Sequence, residues 1–237
     1  MFIYKGKSRN SQQNLAIASL LAFVAGIVNV SGLLSVHNLT TNVTGHFAFM
    51  VEEGLNAEYS QALIYLIFIF MFLLGAFFSN VMIEIMNRIT DKFIFVIPVL
   101  IEALILTGIA FVDYTILLTN PNFTAGVLLF AMGMQNSMVT TISNAVVRTT
   151  HLTGLFTDLG IELSQLFFYK SAEQKHSLIA SIKLRLTIIF TFFLGGIIAG
   201  WLFPQLLMKT LLIGSVVLIG GVFIDYMLIQ IRLKFSE

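Results

Sequence analysis

Residues 10–36 contain no ionisable side chain. At ~1.5 Å of rise per residue, about 20 apolar residues cross the hydrocarbon core of a bilayer, so this stretch restricts the chain to folds that live in lipid. Apolar runs at about residues 61–86, 93–112, 122–147, 186–207 and 210–231 repeat the pattern. They predict five further spans. The first run is longer than the roughly 7–15-residue core of a cleavable signal and is expected to stay.

Composition agrees: 57% of residues are hydrophobic and 11% charged, against roughly 25% charged in a soluble domain. The expected partner is the lipid bilayer. A net charge of +1 argues against nucleic acid. The absence of Cys excludes disulfides, iron–sulfur clusters and thiolate zinc sites, and no cofactor or metal is expected. No metalloprotease, Walker or nucleophile-elbow motif occurs, so the chain is not read as an enzyme.

Basic residues cluster at the N-terminus (Lys5, Lys7, Arg9), after the second span (Arg88, Lys92), after the fourth (Arg148, Lys170, Lys175, Lys183, Arg185) and at the C-terminus (Arg232, Lys234). The loops after the first and third spans carry none, and Lys209 is the exception. The positive-inside rule then places both termini in the cytoplasm. Glu84 and Asp225, near cytoplasmic span ends, are expected to pair with Arg88 and Arg232.

Inside this apolar chain a polar hexapeptide occurs twice. Thr40-Thr41-Asn42-Val43-Thr44-Gly45 returns 109 residues later as Thr149-Thr150-His151-Leu152-Thr153-Gly154, and each copy follows an apolar run holding an Asn, Asn29 or Asn136. Phe70-Met-Phe-Leu-Leu-Gly75 likewise resembles Phe190-Thr-Phe-Phe-Leu-Gly195, with the offset grown to 120 by a basic loop at about residues 171–181. Two halves of three spans each must insert with opposite topology, as in transporters built from inverted repeats with discontinuous helices. The expected fold is all-α: a polytopic membrane helical bundle forming a single membrane domain over residues 1–237. Its six transmembrane helices form two inverted three-helix repeats, 10–112 and 122–231, each with a broken or re-entrant segment.

Thr and Asn cap free helical N–H groups, which cannot stay unpaired in lipid. Half-helices starting at Thr41 and Thr150 would aim their positive ends into the protein and attract anions, with Arg148 reinforcing the second. His151, Asp158 and Glu162 share one face of the following helix. That face meets either a water-filled cavity or charge partner or, if the helix lies flat, the cytoplasmic interface. The first copy offers no matching acids. Glu102, near mid-span, must be protonated or paired, for proton coupling or as a structural hydrogen bond. Gly196-Ile-Ile-Ala-Gly200 is a small-residue face for helix packing.

Gly26-x-x-Asn29, the Thr-x-x-Thr-Gly block ending at Gly45, Gly133-Met-Gln-Asn136 and Thr150-x-x-Thr153-Gly154 followed by Asp158 resemble the YoaK-like family of uncharacterised bacterial membrane proteins over nearly the whole chain. The resemblance implies a multi-pass protein of the bacterial plasma membrane and supplies no substrate. The family pattern carries Asp at the position of Asn29 and Asn at that of His46. This chain therefore lacks an acid at the first site.

The expected function is small-molecule transport by alternating access, with a small-molecule or anionic substrate. The expected site is Asn29, Thr41, Asn42, Thr44, Asn136, Arg148, Thr150, His151 and Thr153, with Glu102, Asp158 and Glu162 as ion-coupling candidates. Six spans make a small transporter, which leaves room for a homo-oligomer. The alternative is a non-transporting sensor subunit or assembly factor that docks partners through its basic cytoplasmic loop.

Overall fold

Asn10 opens the first helix with a capping box: its side chain accepts from the Gln13 N–H, while the Gln13 side chain accepts from the Asn10 N–H. From there the computed structural model, which describes residues 2, 9–89 and 93–234 apart from the side chains of 229 and 232–234, is helical in every regular element. Lys5, Lys7, Asp91, Lys92 and the side chains of Arg232 and Lys234 lie outside the described residues. The order is α1 (Ser11–Val36), α2 (Val43–Leu55), α3 (Tyr59–Ile89), α4 (Val96–Phe111), α5 (Tyr114–Thr119), α6 (Pro121–Ser143), α7 (Leu152–Gln165) and α8 (Ala172–Leu206). A 3-10 turn at Leu207–Thr210 leads into α9 (Leu211–Lys234).

Among the described residues four stretches are long and apolar enough to cross a membrane, α1, α3, α6 and Ala172–Leu228; α4 is a shorter apolar helix. The last stretch has 57 residues, far more than the roughly 20 of a single crossing. It is bent into a hairpin, because Leu207 takes a left-handed φ of 50° and α1 touches both arms. Phe23 lies against Gly195 of α8, while Val24 and Leu20 lie against Gly214 and Gly221 of α9.

These contacts fix directions. Along α1 and α8 they advance together, Phe23 on Gly195 and Val30 on Gly200, so the two run parallel. Helices α3 and α6 are also parallel, with Phe68 beside Ala125 and Leu129, and the Phe78 ring tilted against that of Phe130. Helix α9 opposes α1, as above, and α4, with Tyr226 near Phe93 and Ser215 bonded to Thr107. One end of the bundle, at the starts of α1 and α8, collects Arg9, Arg148, Lys175 and Arg185; we call it the basic end.

Outward faces are apolar. Helix α3 buries only Phe68, Gly75, Ser79 and Ile83 and turns Phe70, Leu73 and Phe77 outward, as α8 does Phe190, Phe193 and Trp201. The polar groups Thr40, Glu102, Gln135 and Thr149 are fully buried. A water-soluble surface would not carry so large an apolar face.

Four glycines set how closely the long helices meet. A Cβ on Gly26 would fall 2.0 Å from the Phe192 carbonyl oxygen, and one on Gly195 2.1 Å from that of Phe23. The other parallel pair repeats this, Gly75 at 2.0 Å from Phe130 O and Gly133 at 2.1 Å from Phe72 O. Backbones touch there, which only glycine allows. Gly196 and Gly200 both face Val30, so the small-residue face serves internal packing.

Several expectations are corrected. Residues 171–181, expected as a loop, form the first turns of α8: Ser171 accepts from the Gln174 N–H, and Leu178 and Ile182 pack on Leu159 of α7. Helix α6 stops at Ser143 rather than at residue 147, because Asn144 and Ala145 take left-handed backbone at φ 54° and 62°. Asp113 caps a short helix, α5, within the expected loop; the Thr115 hydroxyl and N–H donate to its carboxylate and hold it below the usual carboxylate range. Glu84 and Arg88 are exposed, and no ion pair joins them among the described residues. Asp225 is buried and accepts from the Phe2 backbone N–H.

Candidate functional site

Both hexapeptides fold back onto the helix that precedes them. After α1 ends at left-handed His37, the chain returns so that the Thr40 hydroxyl donates to the Val28 carbonyl at 3.1 Å and the Thr41 hydroxyl to Asn29 Oδ1 at 2.8 Å. In the second copy the Thr150 hydroxyl donates to Asn136 Oδ1 at 2.8 Å, and Thr149 Oγ1 accepts from Gln135 Nε2 at 3.3 Å. Because these threonines are occupied holding the Asn-bearing helices, the half-helices begin two residues later than expected, at Val43 and Leu152. Asn42 caps α2 by accepting from the Gly45 N–H at 3.0 Å; His151 stands at the cap of α7 without a side-chain bond. The closing Gly of the motif also has a reason. A Cβ on Gly154 would fall 2.3 Å from His151 Nδ1, so glycine lets the cap side chain fold over the first turn.

Both half-helices start deep in the bundle. Gln135 Nε2, which holds Thr149, also donates to the Leu21 carbonyl at 3.1 Å, whereas Thr40 reaches the Val28 carbonyl. Those carbonyls are seven residues apart on α1, about 10 Å in depth, and flank its middle. From there α2 follows α3 away from the basic end, its His46 beside Phe68 and its Phe49 beside Tyr65. Helix α7 follows α8 toward the basic end, with Asp158 at Arg185 and Glu162 at Ser181.

Each half-helix is fastened to its long neighbour at equivalent positions by different chemistry. At the basic end Arg185 bonds Asp158 at 2.9 Å and Glu162 at 2.8 Å, and the Ser181 hydroxyl donates to Glu162 at 2.6 Å. The 109- and 120-residue offsets map Asp158 onto Phe49, Glu162 onto Glu53 and Arg185 onto Tyr65. There the Phe49 and Tyr65 rings meet at a tilt, 5.4 Å apart, His46 stacks on Tyr65 at 5.8 Å, and Glu53 is within electrostatic reach of the phenol. The first copy therefore does carry one matching acid, Glu53, contrary to the sequence expectation. Arg185 and Tyr65 were missed because one sat in an expected loop and the other in an apolar run; the fixed offset was the available signal.

The residues expected to form one site divide into two groups. Arg148, His151, Thr153, Gly154, Asp158 and Arg185 line a cavity of about 500 Å³ at the basic end. Thr150 and Asn136 bond each other beneath it. Asn29 on α1, with Thr41, Asn42 and Thr44 at the start of α2, lies away from that cavity and none of the four lines it. Asp158 and Glu162 already have a cation, Arg185, whereas Glu102 is fully buried with both carboxyl oxygens lacking a partner. Among the described residues no group of His, Asp and Glu could hold a metal ion.

Apolar outward faces, four membrane-length stretches and polar helix breaks in the interior define a polytopic membrane-type helical protein. The chain belongs to the family of proteins of unknown function DUF1275, whose model matches residues 17–224 and so includes both hexapeptides, Asn29, Asn136 and Glu102. No curated protein and no solved structure matches it.

Proposed function

We propose that the chain is a small-molecule transporter of the bacterial plasma membrane working by alternating access, built as six spans in two inverted repeats with both termini cytoplasmic. The observation that carries this reading is the duplicated Asn–Thr bond, Asn29 to Thr41 and Asn136 to Thr150, each at 2.8 Å. It holds two half-helices whose positive ends face the middle of the bundle from opposite sides, the arrangement that binds substrate in inverted-repeat transporters. Reciprocal packing supports the same symmetry, since the Gly26–Gly195 crossing of α1 and α8 recurs as the Gly133–Gly75 crossing of α6 and α3. Clustered bases at one end support its assignment to the cytoplasm. The substrate class is a small anion, drawn by the α7 N-terminus and Arg148.

Flux of a panel of labelled organic and inorganic anions into proteoliposomes tests the reading. Wild type should exceed empty liposomes for at least one solute, and Arg148→Ala and Thr153→Val should each lower that flux several-fold while remaining folded. Folded protein that moves none of them would instead favour a non-transporting subunit that docks partners through its basic segment 170–185.

A further inference from the structure

We propose that Glu102 is a proton-binding site at the centre of the bundle and that its proton controls the hold on half-helix α7 through Gln135. The proposal rests on the reading of α7 as a mobile half-helix, and it names the ion that moves it.

The geometry begins with depth. Glu102 lies near the middle of α4. One turn further along, Leu106 meets Gly214 of α9 together with Val24 of α1, so Glu102 stands at the level one turn before Val24, that of Leu20 and Leu21. Gln135, on α6, donates its amide nitrogen to the Leu21 carbonyl. Two fully buried polar side chains on neighbouring helices, α4 and α6, therefore share one depth.

Both have unpartnered oxygens there. Neither Glu102 carboxyl oxygen nor Gln135 Oε1 has a hydrogen-bond partner. The Leu21 carbonyl can only accept, which fixes Nε2 toward it and leaves Oε1 as a bare acceptor. An ionised Glu102 would be buried with no cation beside it among the described residues; protonated, it carries an O–H that can serve as the donor Gln135 Oε1 lacks.

Among the described residues no other charge lies at this depth. Among the described residues α1 and α6 carry no ionisable side chain. Asp225 and Tyr226 of α9 lie toward the basic end, near Phe2 and Phe93. Glu84 and Arg88 of α3 lie at its end, and Lys209 stands in the turn at the far end.

Loss of the proton reverses the requirement. The carboxylate then needs a donor, and the Gln135 amide supplies one by a side-chain rotation. Rotating the amide to present Nε2–H to Glu102 breaks its bonds to the Leu21 carbonyl and Thr149 Oγ1. Thr149 begins the second hexapeptide, so the anchor of α7 loosens. The released proton goes to water once the segment loosens, and rebinding restores the hold.

Two measurements on the whole protein in liposomes test this, neither needing a transported solute. Infrared spectroscopy at neutral pH should show the carbonyl band of a protonated carboxylic acid that is absent from Glu102→Gln. The chain has no Cys, so Thr153→Cys gives one labelling site. Its reaction with an impermeant thiol reagent, divided at each pH by that of the same reagent with the unfolded variant so that ordinary thiol ionisation cancels, should rise several-fold from acidic to alkaline buffer. With Glu102→Gln added, this ratio should stay at its acidic value; with Gln135→Leu it should lose its pH response while the infrared band remains. A missing band in wild type overturns the proton site, and an unchanged pH response in Gln135→Leu overturns the coupling. If Glu102→Gln does not fold, the wild-type band and Gln135→Leu still decide. A protein that passes both while carrying no solute would refute transport alone.

Discussion

Gly26, Gly75, Gly133 and Gly195 each stand where one methyl group would strike a neighbouring backbone carbonyl. A backbone cannot step aside as a side-chain tip can, so Gly→Ala at any of the four should force its helix pair apart and cost about 1–3 kcal/mol or more, as overpacking does. Gly54→Ala and Gly220→Ala, where an added Cβ meets nothing, should be neutral or stabilise by up to ~1 kcal/mol through helix propensity. Thermal unfolding in detergent separates the two sets. Gly26-x-x-Asn29 and Gly133-x-x-Asn136 were legible as a repeated pattern, but their division of labour was not. Glycine makes the crossing and Asn holds the returning Thr, which requires knowing that the chain doubles back. Glu102 was legible as an anomaly because no charge flanks it; that Gln135 shares its depth depends on how α4, α6 and α1 meet.

Elements differ in how much of them the sequence carries. Uncharged runs located the long helices, since lipid demands length and apolarity and little else. Ends were less legible. Helix α8 begins with charged turns that read as a loop, yet Ser171 caps it and Leu178 and Ile182 pack on Leu159. That error hid Arg185 and with it the ion-pair fastening of α7. The two fastenings should respond differently to salt, since ~1 M electrolyte shortens the screening length to about 3 Å and weakens partly exposed ion pairs, whereas stacked rings are indifferent. Thiol labelling of Thr153→Cys should therefore increase several-fold in high salt and that of Thr44→Cys should not. Arg185→Ala should reproduce the high-salt rate without salt, and Tyr65→Ala should raise labelling only at Thr44→Cys. Equal salt responses at both sites would contradict the assignment.

At the scale of the whole molecule, alternating access would make the two half-helices halves of one machine. Both begin near the middle of α1, their anchor points about 10 Å apart in depth, and run out to opposite ends. An opening at one end then exposes the same interior that an opening at the other would. The decisive measurement fixes one end and reads the other. Joining Asp158→Cys to Arg185→Cys with a short thiol cross-linker, before Thr44→Cys is unmasked, holds α7 on α8; labelling at Thr44 from the opposite side should then increase relative to the unlinked protein. Cross-linking that leaves Thr44 labelling unchanged, in protein shown to be folded and fully linked, would contradict alternating access.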